Sequence, residues 1–279
     1  PARVPVVFLD GGDYPDLGKD LTGYGRPELY EEALSKRPFD VIFKREMRQY
    51  FTSPIAYLVA FAVLFLTGIT FTSDLRSRNG YGPADGTVVL SFFAFIMVFL
   101  IPLLTMRLLA EESREGTIEL LLTMPISDSD IVLGKFFGAW VYYTLLLAFT
   151  VINQVVLFAV GNPDFGAVIA GYIGVWLYGG AVIAVGMLFS ALTENQIVAG
   201  FLSMAVLFIL WLADSVGLLV DALSVDAASF IRTLSLRSHI STSFLMGMFR
   251  LEDVIFYGGL MTLMLFVTAQ IVASRRWRG

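Results

Sequence analysis

Residues able to do chemistry are few in this sequence. There are no cysteines and a single histidine, His239, among 279 residues. A disulfide scaffold, a thiolate metal site, a cysteine nucleophile and a histidine-rich metal centre are therefore excluded. No G-x-x-x-x-G-K-[ST] phosphate loop occurs. Gly134 and Lys135 come nearest, but Ser129 stands where the first glycine should be and Phe136 replaces the hydroxyl residue. The chain is thus not expected to bind or hydrolyse ATP. A serine–lysine hydrolytic pair needs a lysine inside an apolar segment, and the uncharged runs contain none. The polar groups left within those runs are Asn153, Gln154 and Gln270. They suit either interhelical hydrogen bonding or the lining of a route.

The elements that must hold these residues follow from composition. Apolar residues make up 57% of the chain and charged residues 15%, with mean hydropathy +0.75. Soluble domains carry about 25% charged residues. The balance excludes a disordered chain, a nucleic-acid binder with a basic face and an ordinary soluble enzyme. Uncharged runs cover 54–73, 86–106, 136–163, 165–193, 195–213 and 254–274. About 20 apolar residues span a bilayer as helix, so each run qualifies. The runs are continuous rather than alternating, which excludes a transmembrane barrel. An all-α polytopic membrane protein with six spans is expected, at about 54–73, 86–106, 130–161, 165–192, 195–213 and 254–274, with an external segment at 214–253. Proton-coupled secondary transport places ionisable groups within the bilayer, and the runs carry none. Sodium coupling through backbone carbonyls stays open, as does a scaffold that only docks a cytoplasmic partner.

Lys36, Arg37, Lys44, Arg45, Arg48, Arg107, Arg114, Lys135, Arg275, Arg276 and Arg278 gather on the side of the two termini. Arg76, Arg78, Arg232, Arg237 and Arg250 lie on the other. The positive-inside rule then puts both termini in the cytoplasm. Residues 1–37 read as a polar cytoplasmic arm, and 38–279 as one membrane domain. In 38–53, Phe39, Ile42, Phe43, Met47, Tyr50 and Phe51 recur at helical spacing, with Lys44, Arg45 and Arg48 on the other arc. This pattern predicts an amphipathic helix lying in the headgroup layer against anionic lipid.

The loop between the second and third spans is the most informative segment. Glu111, Glu112, Arg114 and Glu115 precede Gly116, and a short apolar helix at about 117–123 follows, N-capped by Thr117 and ended by Pro125. Such a helix can lie in the bilayer surface or in a groove on another protein. Ser127 and Asp130 resemble a capping box opening the third span. Gly134 with Gly138, and Gly179 and Gly180 with Ala184 and Gly186, offer small faces for close packing within the chain or between copies. Residues 238–249 are expected to form a short interfacial helix dipping into the outer leaflet, and His239 is expected to be exposed or hydrogen-bonded.

Four stretches carry a family resemblance: 43–57 (FKREMRQYFTSPIAY), 111–125 (EESREGTIELLLTMP), 130–136 (DIVLGKF) and 274–277 (SRRW). With them the chain resembles the membrane subunit of an ABC-2 type ABC transporter, of the type V exporter kind. It is most similar to the gliding-motility-type permeases. The resemblance implies a cytoplasmic coupling helix resting on a separate ATPase, carried by Gly116, Thr117, Ile118, Glu119, Leu120, Leu121 and Thr123. Glu111 and Glu112 would form the acidic end before it, and Glu194 a secondary contact. Phe39, Phe43, Lys44, Arg45, Arg48 and Tyr50 would belong to the connecting helix on the membrane surface. The implied partners are a dimer of ABC ATPase subunits, a second or related permease copy and membrane lipid, with room for an accessory subunit and no nucleic acid. ATP and magnesium would sit on the ATPase, with no cofactor on this chain. The implied function is a non-catalytic permease subunit in the inner (plasma) membrane, most often an exporter.

Overall fold

The computed structural model describes residues 38–77, 85–116, 127–221 and 224–276, all within one compact unit, Pro38–Gly279. Among them every regular element is helical. In chain order these are α1 (Pro38–Thr52), α2 (Pro54–Ser77), α3 (Thr87–Thr105), α4 (Ala110–Glu115), α5 (Asp128–Phe149), α6 (Val151–Val160), α7 (Phe165–Leu192), α8 (Gln196–Val220), α9 (Val225–Thr233), α10 (Leu236–Ser241) and α11 (Leu251–Arg276). A 3-10 turn at Phe244–Met246 precedes α11. Among the described residues, six segments are long and apolar enough to cross a membrane, with α3 and α4 forming one and α5 and α6 another.

Local chemistry sets the boundaries. Ser127 Oγ accepts from the Asp130 N–H and donates to the Asp130 carboxylate, so Ser127 N-caps α5 at the expected place, with the carboxylate on the hydroxyl. Asp164 caps α7 and Asn195 caps α8, each with its side-chain oxygen on the first free N–H groups. The sharp turns at 161–164 and 193–195 keep α6, α7 and α8 adjacent in sequence and space. The fifth spanning helix continues through Asp214 to Val220, past the point where the uncharged run ends.

α7 is the most enclosed of the six spans, and packs against α3, α5, α8 and α11. Its glycines allow this. A Cβ on Gly179 would overlap the Tyr143 ring, one on Gly174 the Phe244 ring and one on Gly186 the Thr105 side chain. The small faces at Gly179, Gly180 and Gly186 thus receive neighbours from the same chain. Four buried tyrosines tie the helices further. Tyr142, Tyr143, Tyr178 and Tyr257 each donate to a carbonyl on another element, those of Ala56, Val175, Ala94 and Leu236. Carbonyls already bonded within a helix accept a second hydrogen bond, so a buried hydroxyl is satisfied without breaking the ladder.

Two expectations need correction. Residues 238–249 do not form one interfacial helix. They split into the end of α10 and the 3-10 turn, with Gly247 in the left-handed region at φ 76°. Ile240 and Phe244 are buried, and α7 offers Gly174 beneath the Phe244 ring. His239 is hydrogen-bonded, as one of the two expectations had it. Its Nδ1 meets the Asp253 carboxylate, its Nε2 meets the Thr233 carbonyl, and its ring stacks on Phe256.

The second correction concerns charge. Lys135 lies inside the third spanning helix, as the expected span of 130–161 already implied, but it is not a surface charge: its side chain is only 3% exposed. The buried acids Glu46, Glu112 and Asp253 were not foreseen either. Reading spans from charge to charge ends each one at its first ion, whereas a helix continues through an ion that finds a partner.

Candidate functional site

The site lies where α1 meets the break between α3 and α4. Pro102 sits within α3 and helical geometry lapses at residues 106–109 before α4 resumes. Such a break frees backbone groups that must be satisfied in an apolar setting. Ser190, near the end of α7, does this with one hydroxyl. Its Oγ accepts from the N–H groups of Leu109 and Ala110, each at 3.0 Å, and donates to the Met106 carbonyl at 3.1 Å. α4 also packs on α7 and α8. It ends at Gly116, whose φ of 70° suits the glycine of a left-handed helix cap.

On the other side, α1 lies against α5. Ile42, Glu46 and Tyr50 form its buried line, one turn apart. That line presses onto the small face of α5. A Cβ on Gly134 would come within 2.8 Å of Ile42, and one on Gly138 within 2.8 Å of Glu46. The Gly134 and Gly138 face is therefore an internal contact. Tyr50 stacks on Tyr142 with ring centroids 5.0 Å apart, and Phe39 meets the edge of Phe137. Burial, reinforced by the Glu46 carboxylate, holds the Tyr50 hydroxyl well above the usual tyrosine range.

A buried ionic network joins the two sides. The Lys135 ammonium lies 2.7 Å from Glu46 Oε1 and 3.0 Å from Glu112 Oε1. Arg45, on the exposed side of α1, donates to the same Glu112 oxygen at 2.9 Å. Two cations thus face two carboxylates, with Lys135, Glu46 and Glu112 buried and Arg45 reaching in from the exposed side. Burying ions is costly unless each is paired and hydrogen-bonded, which this arrangement provides. Beside it, Arg107 grips Glu111 through Nε and Nη2 in a two-pronged bond. A cavity of about 220 Å³ lies alongside, walled by Gln49, Tyr50 and Ser53 on one side and Leu104, Leu108 and Glu111 on the other.

Of the residues expected from sequence, the structure brings Arg45, Tyr50, Glu111 and Glu112 together here. The carboxylates of Glu111 and Glu112 are turned onto cations of this chain. Phe39 and Phe43 are half-buried, while Lys44 and Arg48 are exposed on α1. Gly116 caps α4, and Glu194 is exposed in the turn between α7 and α8. Thr117, Ile118, Glu119, Leu120, Leu121 and Thr123 lie outside the described residues. Gln154 is buried and donates to the Gly86 carbonyl, so it packs α6 against the start of α3. Asn153 is half-buried on α6 and Gln270 exposed on α11, and neither belongs to the network.

Glu46, Lys135 and Ser190 were missed from sequence. A signal existed for Glu46, which stands midway between Ile42 and Tyr50 on the buried line and so required a cation. Lys135 had a weaker one, as the ion next to the glycine face.

A six-span bundle with this broken second span and a preceding helix packed on the third invites comparison with transporter families. The model for the ABC-2 family transporter protein matches residues 67–273. The chain belongs to the ABC-2 family. It is 28% identical over 127 residues to the probable multidrug ABC transporter permease YbhR of Escherichia coli (strain K12), and equally to its counterpart in Escherichia coli O157:H7. These alignments cover 44% of this chain and 34% of either relative. The chain thus spans about a third of the length of the curated relatives it matches.

Proposed function

We propose that this chain is the permease subunit of an ABC transporter. It moves substrate across the membrane, as an exporter, at the expense of ATP hydrolysed by a separate pair of ATPase subunits. ATP and magnesium belong to those subunits, and this chain performs no catalysis. The site is an inner or plasma membrane, with both termini cytoplasmic; 38–279 is the permease domain and 1–37 a separate polar arm. A second permease copy completes the pathway. Segment 116–123 rests on the ATPase, with Glu111 and Glu112 rooting its near end and Glu194 beside it. The outer face of α1, with Lys44 and Arg48, lies on anionic lipid. The multidrug name of the relatives and the aromatic spans favour an amphipathic substrate.

The observation that carries this reading is the family match combined with the rooting of segment 117–126. The helix before it is pinned by Ser190 and Glu112, and the helix after it by Lys135. A push delivered to either of these flanking helices reaches the spans. Leu120→Glu and Leu121→Glu test it. The variants should keep the thermal unfolding profile of the bundle and lose ATPase association. Unchanged association would remove segment 116–123 from the interface.

A further inference from the structure

The network described above has an asymmetry that points to where this end of the bundle moves. α1 and α5 form one body. They meet through Gly134 on Ile42, Gly138 on Glu46, the Tyr50 and Tyr142 stack, and the Glu46 ion pair with Lys135. α4 and the break before it are held instead to the end of α7, through Ser190, and pack on α7 and α8. α7 in turn meets α5 farther along, at Gly179 with Tyr143 and at Trp176 with Trp140, so the two parts stay joined there and any parting at Glu112 is a pivot about that contact. Between the two lie the cavity of about 220 Å³ and the single Glu112 oxygen that takes both Arg45 and Lys135.

We infer that Glu112 is the latch of this seam: the α4 body parts from the α1–α5 body by releasing Glu112 from Arg45 and Lys135, widening the cavity between them. The reason is what each separation would strand. If α1 left α5, Lys135 and Glu46 would lose each other in a dry contact, and the fitted glycine face would open to a void. Breaking a buried pair in this way is strongly unfavourable. If α4 leaves instead, Lys135 keeps Glu46. Arg45, whose side chain is already 54% exposed, returns to water. Glu112 moves out with the widening cavity, where water can reach it. The ionic seam is the cheaper one to open. Switching by release of ion pairs between packed bodies is a general device in proteins. Glu112, Lys135 and Arg45 are on this view positioning residues, and the inference rests on the permease reading, since the ATPase supplies the push.

The chain contains no cysteine, so site-directed labels need no background removal. Gln49→Cys with Glu115→Cys places two exposed spin labels across the cavity. Val41→Cys with Val141→Cys places two within the α1–α5 body, both at exposed positions. Distances are measured on the full chain with its ATPase in lipid nanodiscs, without nucleotide and after trapping with ATP, magnesium and vanadate. The seam pair should lengthen on trapping while the control pair stays fixed. Glu112→Gln should show the lengthened distance in part without nucleotide, with the control again unmoved. A mere fold defect would move both pairs. If Glu112→Gln does not fold, Arg45→Gln serves, being milder. A seam distance that ignores nucleotide while the bound ATPase hydrolyses ATP overturns the latch and leaves the permease reading intact. Absence of any bound ATPase overturns both.

Discussion

Lys135 and Glu46 stand 89 residues apart in sequence and meet at 2.7 Å, each with a side chain only 3% exposed. A lysine there is almost wholly withdrawn from water, so its carboxylate partners are a condition of the fold. Lys135→Met should strand Glu46 and lower stability by about 3–5 kcal/mol, the usual cost of breaking a buried pair from one side. Glu46→Leu combined with Lys135→Met should cost less than Lys135→Met alone, because Glu112 retains Arg45. Thermal unfolding of the purified chain, arranged as a double-mutant cycle, measures this. A double variant worse than the single one would show that the pair does not act as a unit.

Gly138 and Gly259 make a matched contrast. Gly138→Ala puts a Cβ at 2.8 Å from the Glu46 Cβ, so α1 must shift off α5, at about 1–3 kcal/mol. A Cβ on Gly259 meets nothing within 4 Å inside the chain, so Gly259→Ala, in the interior of α11, should raise monomer stability by up to about 0.5–1 kcal/mol. Unfolding midpoints of the two variants, side by side, give the comparison. Equal midpoints would contradict the close approach of α1.

Ser190→Ala removes the acceptor for two amides and the donor to one carbonyl at the break in the second span. Each buried group left unsatisfied costs about 1–3 kcal/mol. The expected signature is local, with faster hydrogen exchange at the amides of Leu109 and Ala110 while α7 stays protected. Unchanged exchange there would mean that the break is held by other contacts.

The six spans were legible because a bilayer imposes a length on apolar runs, and these runs are uncharged end to end. The opening of α5 was legible too, since Ser127 and Asp130 are local. The glycine face of α5 could be seen, but not what it receives, because α1 lies some 90 positions away in the chain. Lys135 illustrates the limit best. At the edge of an apolar run it reads as a charge marking the inner surface. Only the approach of Glu46 and Glu112 turns it into a buried tie. The break at 106–109 was invisible for the same reason, as its stabilising hydroxyl belongs to Ser190 on another span.

The charge bias predicts a topology that single cysteines can probe in this cysteine-free chain. Ser229→Cys, exposed on α9, should react with a membrane-impermeant maleimide in intact cells. Lys44→Cys, exposed on α1, should react only after permeabilisation. The reverse pattern would place the termini outside.

The most direct test is gentle purification of the tagged chain from its native membranes, with mass spectrometry of what accompanies it. The account predicts a stoichiometric ATPase carrying a phosphate-binding loop, retained by the unaltered chain and lost with Leu121→Glu. Recovery of the chain alone, or with partners that are not ATPases, would contradict it.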